Sequence, residues 1–101
     1  LWAADLVLDR ANYEVSRGGK EIALNRTEFR LLKSVIKRAG RVIFRKTLFH
    51  LIWNSNDDAD ENLLDVTISH LRKKVDRNHE VKLIRTVRNV GYSIRDPAKT
   101  R

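Results

Sequence analysis

Apolar residues in this chain first alternate with polar ones, then recur every three or four positions from about residue 25, and return to alternation near residue 82. The first stretch predicts strands. Leu6-Val-Leu8 follows Asp5, and Tyr13-Glu-Val-Ser-Arg17 alternates before the Gly18-Gly19 pair. Glu21-Ile-Ala-Leu24 comes directly after it. Two strands around a glycine pair make a hairpin, so a small antiparallel sheet of three strands is expected.

Helical spacing begins behind Asn25. Glu28 stands three residues on, the spacing of a capping box, in which each side chain binds the other residue's amide. Phe29, Leu32, Val35, Ile36 and Ala39 form the apolar stripe, and Gly40 closes the helix. Lys33, Lys37 and Arg38 lie outside that stripe. A second helix is expected over about 45–53 with Leu48, Phe49 and Ile52 inward, although Phe44 stands where a capping Ser or Thr would be. Residues 54–60 are polar and read as a loop, and Asp58 with Glu61 has a second capping-box spacing. The third helix, about 61–76, carries Leu64, Ile68, Leu71 and Val75 in a narrow stripe. Lys82-Leu-Ile-Arg-Thr-Val-Arg88 and Tyr92-Ser-Ile-Arg95 then form a hairpin about Asn89-Val90-Gly91, ended by Pro97. The order is three strands, three helices and two strands, an α+β domain over 5–95. Residues 1–4 are expected to be a linker remnant and 96–101 a flexible tail.

Length and charge narrow the function. The 101 residues suit one domain with one modest core and leave little room for a deep active-site cleft. With no Cys, disulfides, thiolate metal sites and cysteine nucleophiles are excluded, which fits a cytoplasmic location. No apolar run nears the ~20 residues of a membrane span, so no membrane contact is expected. The chain opens at Leu1 and contains no Met, as expected for a piece of a longer protein. Its 21 basic and 13 acidic residues leave a net charge of +8, which suits a polyanionic partner. From Asn62 onward ten Lys and Arg face four acids, while Asp57, Asp58, Asp60 and Glu61 form a separate acidic knot.

Opposite its apolar stripe, the third helix carries Asn62, Val66, Ser69 and Lys73, with Leu63 and His70 beside them. A solvated face is ordinarily rich in Glu and Lys; this one is small, polar and partly apolar, with no acid at its centre. Such a helix fits the DNA major groove, where Asn and Ser bond base edges and Val meets a thymine methyl. Arg85, Arg88 and Arg95 lie along the terminal hairpin, with Arg88 at its tip. Arg on a narrow tip is shaped to reach a minor groove. A groove-facing helix followed directly by an Arg-tipped hairpin is the pattern of a winged helix-turn-helix.

Asn62-Leu-Leu-Asp-Val-Thr-Ile-Ser-His-Leu-Arg-Lys-Lys-Val75 and Leu83-Ile-Arg-Thr-Val-Arg-Asn-Val-Gly-Tyr92 closely resemble the OmpR/PhoB-type effector domain of bacterial two-component response regulators. The resemblance runs upstream through Leu24, Glu28-Phe29, Leu31-Leu32, Gly40-Arg41-Val42 and Ile52-Trp53, about residues 5–94. It implies an N-terminal four-stranded sheet, hence a fourth strand between Gly18 and Arg26 or near Val42. It implies an upstream receiver domain phosphorylated on Asp by a sensor kinase. It also implies a 54–60 segment facing RNA polymerase, and a monomer that pairs head-to-tail on direct-repeat half-sites of double-stranded DNA. Carried over by position, Asn62, Leu63, Val66, Thr67, Ser69, His70 and Arg72 become helix contacts, and Lys73 lies on the same face. Thr86, Arg88 and Tyr92 become wing contacts and Trp53 a backbone-packing aromatic. Residues 57–62 and 82–87 further resemble the heavy-metal-responsive subgroup that controls copper or silver efflux. Ser69 and His70 replace Arg of that subgroup, Asn89 replaces the first wing Gly, and Ser93 is not basic.

Other classes fit less well. The three histidines are scattered, no nucleophile stands beside a base, and the acidic knot lacks the spacing of a calcium loop. Neither catalysis, cofactor nor metal is expected. A winged helix that docks proteins, or the effector domain of a membrane-anchored one-component regulator, stands as the alternative.

Overall fold

The computed structural model describes residues 1–53 and 60–95. Four antiparallel strands open the chain: β1 (Trp2–Ala3), β2 (Leu6–Asp9), β3 (Glu14–Arg17) and β4 (Lys20–Ile22), in that order across one sheet. Then come α1 (Arg26–Lys37), β5 (Ile43–Phe44), α2 (Arg45–Ile52) and α3 (Asn62–Val75). β6 (Ile84–Val87) and β7 (Gly91–Ile94) complete a second sheet ordered β5-β7-β6. The expected α+β architecture and all three helices are present.

The strands depart from expectation in two places. The fourth strand of the first sheet is Trp2–Ala3, inside the expected linker and before Gly18. Ala3 pairs with Leu6 and is buried, and the turn between them runs through Ala4 at φ 54°. A two-residue strand before a turn without glycine leaves no alternation to read. The strand near Val42 also exists, but β5 pairs with β7 and therefore widens the terminal hairpin into a three-stranded wing. At the expected glycine turn, Gly18 and Gly19 both have positive φ, 60° and 80°, the backbone a two-residue hairpin requires.

The Asn25 capping box is formed: Glu28 N–H donates to Asn25 Oδ1 at 2.8 Å and Asn25 N–H to Glu28 Oε1 at 2.9 Å. Glu28 is buried, and Lys74 Nζ of α3 donates to the same Oε1 at 2.6 Å, so the cap also ties α1 to α3. No side-chain hydrogen bond caps α2, as the Phe44 position predicts. At α3, Asp58 lies outside the described residues. The adjacent Asp60 accepts the Asn62 N–H at 2.9 Å, and Glu61, at the cap position, makes no side-chain cap bond.

The inward faces of all three helices share one core with both sheets. Leu64, Ile68, Leu71 and Val75 of α3 pack there with Leu31, Leu32, Leu48, Leu83 and Ile94, all buried. Truncating one such Leu to Ala costs about 2–5 kcal/mol.

A buried ion pair that no local pattern announces joins the first sheet to the end of α3. Arg17 Nη1 donates to Asp76 Oδ1 at 2.7 Å and to the Val75 carbonyl at 2.9 Å. Its Nη2 donates to the Val81 carbonyl at 2.6 Å, and its Nε to Asp5 Oδ1 at 3.1 Å. Asp76 also accepts the Leu83 and Ile84 amides, both at 3.0 Å. The pair therefore holds the exit of α3 and the entry of β6 against β3. No helix among the described residues is long and apolar enough to cross a membrane.

Candidate nucleic-acid interface

Helix α3 exposes the side expected to face a groove. Asn62, Leu63, Val66, Ser69, His70 and Lys73 are exposed, with Val66 at 50%, while the opposite stripe is buried. Two expected contacts on this face are partly committed elsewhere. The Thr67 hydroxyl donates to the Leu63 carbonyl one turn back at 2.7 Å, leaving its oxygen as an acceptor. The Asn62 side-chain amide donates to Asp60 Oδ2 at 3.2 Å.

Arg72 points from α3 toward the wing. It donates to the Thr86 hydroxyl of β6, reaches the Ile84 carbonyl at 3.4 Å, and lies 5.9 Å from the Tyr92 ring centre. This guanidinium is thus a strut between helix and wing as well as a cation near the expected DNA path. Between the end of α3 and β6 lies an open groove of about 610 Å³ bordered by Arg72, Lys73, Arg77 and Lys82. Lys82 itself is turned back onto the carbonyls closing α3, at 2.8 Å from Asp76 and 2.6 Å from His79.

Arg88, Asn89 and Val90 form the turn beyond β6, and all three are exposed. Asn89 adopts φ 64°, a left-handed conformation that Asn tolerates, and the turn survives its missing glycine. Val90 N–H closes it onto the Val87 carbonyl at 2.9 Å. Gly91 cannot be anything larger, because a Cβ there would stand 1.9 Å from the Ile43 carbonyl oxygen. That approach presses β5 against β7, and the Arg45 N–H to Val90 carbonyl bond at 3.2 Å fixes α2 beside the tip. Ser93 is buried, so the non-basic residue at this position removes no exposed cation.

Tyr92, expected as a wing contact, is engaged within the fold. It is only 6% exposed, and its hydroxyl donates to Asp65 Oδ1. Arg45 Nη2 meets the other Asp65 oxygen at 2.7 Å, with Glu61 3.8 Å from the same guanidinium. Burial, then the hydrogen bond to Asp65, pushes the Tyr92 phenol up to about 12. Burial pushes the Asp65 carboxyl upward, but hydrogen bonds from Arg45 and Tyr92 outweigh it and leave it below the ordinary carboxylate value. Tyr92 therefore supports the site from behind by joining α2, α3 and β7. Asp65 and Arg45 were not singled out from sequence; an acid in the first turn of α3 was their only local signal. Trp53 is half-buried and stacks on Phe49, ring centres 5.2 Å apart, so it too acts first as packing.

Comparison with known proteins agrees with this winged-helix architecture. The family model "Transcriptional regulatory protein, C terminal" matches residues 19–94. The chain belongs to this family, the OmpR/PhoB-type DNA-binding effector domains. Curated relatives include the transcriptional regulatory proteins PcoR of Escherichia coli, 43% identical over 88% of this chain, and CusR of strain K12, 40% identical over 93%. The chain spans about two fifths of their length, 39% and 41%. Among solved structures, the Klebsiella pneumoniae RstA DNA-binding domain in complex with the RstA box superposes with a TM-score of 0.80 at 31% identity. That match covers 94% of this chain and 95% of the RstA chain. OmpR/PhoB-type effector domains are regulators and not enzymes.

Proposed function

We propose that this domain binds specific double-stranded DNA with α3 in the major groove and Arg88 in the adjoining minor groove. The carrying observation is the exposed, acid-free face of Asn62, Val66, Ser69, His70 and Lys73, set beside the Arg88 turn by Arg72 and Thr86. Asn62, Ser69 and His70 supply donors and acceptors for base edges, Val66 and Leu63 the apolar contact, and Lys73 the phosphate contact. Thr67 lines the face at its edge, and Thr86 lies at the helix–wing junction. The RstA complex with its box supports the reading by similarity of fold.

On the same reading the domain is the output half of a two-component response regulator. An upstream receiver, phosphorylated by a sensor kinase in the cytoplasm, governs transcription through it. The isolated domain is a monomer that pairs head-to-tail on direct repeats. The segment proposed to face RNA polymerase, 54–60, lies almost wholly outside the described residues.

Salt dependence tests DNA against a protein partner. If about five to eight phosphates are neutralised, log K falls with log salt at about −0.9 per phosphate. A shallow slope, or no duplex binding, would overturn the proposal.

A further inference from the structure

Phe44 is unexplained by the fold and by the interface described above. It occupies the cap position of α2, makes no side-chain cap, and is 64% exposed. Phe is poorly suited to that position, where Ser, Thr, Asp or Asn would accept a first-turn amide. Its backbone is fixed, because Phe44 pairs with Gly91 and the next amide, Arg45 N–H, bonds the Val90 carbonyl. Val90 at the wing turn is itself 39% exposed. Phe44 and Val90 border a shallow groove of about 520 Å³ with Arg45, Lys46, Thr47 and Asn89, and no acid lines it.

We infer that Phe44, with Val90, is an apolar knob that packs on the deoxyribose edge of the minor groove beside Arg88. The chemistry of the partner matches the patch. A minor-groove wall offers apolar sugar C–H surface bounded by phosphates, and the knob is bounded by the exposed Lys46, the Arg45 guanidinium being held by Asp65. Apolar side chains pressed against the minor groove are a general device for gripping its walls and opening base steps. The knob is continuous with the wing tip, so the duplex that receives Arg88 passes beside it. This inference rests on the proposed placement of the wing and adds a contact no motif residue supplies.

The test uses a substitution whose effects on folding and binding have opposite signs. Phe44→Ser restores a side-chain acceptor at the cap, so thermal unfolding of the 101-residue chain moves up by several degrees. Its affinity for a labelled duplex, carrying the site the unmodified chain enriches from a random pool, falls about tenfold. Phe44→Leu keeps an apolar knob and stays within about twofold of the unmodified chain. Arg88→Ala on the same duplex is the control for the wing. Weakening by Arg88→Ala with unchanged affinity for Phe44→Ser overturns the knob alone, as a protein-facing role for Phe44 would require. Unchanged affinity for both variants overturns the placement of the wing as well. A Phe44→Ser chain that loses stability and affinity together marks a structural residue and equally refutes the inference.

Discussion

The Arg72 guanidinium of α3 donates to the Thr86 hydroxyl of β6, so helix and wing are held in one geometry before any partner arrives. A rigid pair presents both contacts in register, which limits the ordering that binding must impose.

Coupling between the two halves follows. In a double-mutant cycle on DNA affinity, Arg72→Ala and Arg88→Ala are expected to be non-additive by at least about 0.5 kcal/mol. Additivity within about 0.3 kcal/mol would mean that the strut carries nothing from helix to wing.

Arg17 and Asp76 govern stability instead. Removing one partner of a buried, fully bonded ion pair leaves the other charge without compensation, so Arg17→Ala is expected to cost about 3–5 kcal/mol. Urea unfolding checks this through a lowered midpoint. A loss below 1 kcal/mol would show that the pair is dispensable.

The Asp65–Tyr92 contact predicts behaviour at both ends of the pH scale. The Tyr92 phenol is raised from 10.0 to about 12, so its contribution is complete below the unfolded value and disappears as pH rises through the folded one. The Asp65 carboxyl is lowered, so its contribution is present above the unfolded carboxylate value and is lost as pH falls through its folded value. Alkaline absorbance titration is expected to show a phenolate step near 12 that Tyr92→Phe abolishes. If the step that Tyr92→Phe removes lies at the ordinary phenol value of 10.0 instead, Tyr92 is not held by Asp65.

What the sequence conveyed was whatever local spacing controls. The Asn25 cap, the Gly18-Gly19 turn, the helix stripes and the Arg88 tip each depend on residues within a turn or two of one another, and each could be read. Ala3 and β5 could not, since strands of two residues have no period. The pairing of Arg17 with Asp76 spans 59 residues of chain, and neither residue's neighbours signal it. Tyr92 was assigned to the interface by position in a motif. Only its burial against Asp65 reveals that it holds the wing in place from behind.

On the proposed reading His70 and Ser69 face base edges, with side chains of shorter reach than Arg. Replacing either with Ala is expected to change base preference at one or two positions, each worth about 1–3 kcal/mol of discrimination. A uniform loss over all sequences would assign them to backbone contact.

Selection from a random duplex pool, run in parallel for the unmodified chain and Arg88→Ala, tests the central claim most directly. The unmodified chain is expected to enrich a major-groove half-site flanked by an A·T-rich segment, repeated in the same direction. Arg88→Ala is expected to keep the half-site and lose the A·T flank. No enrichment by the unmodified chain, or an unaltered flank in the variant, would contradict it.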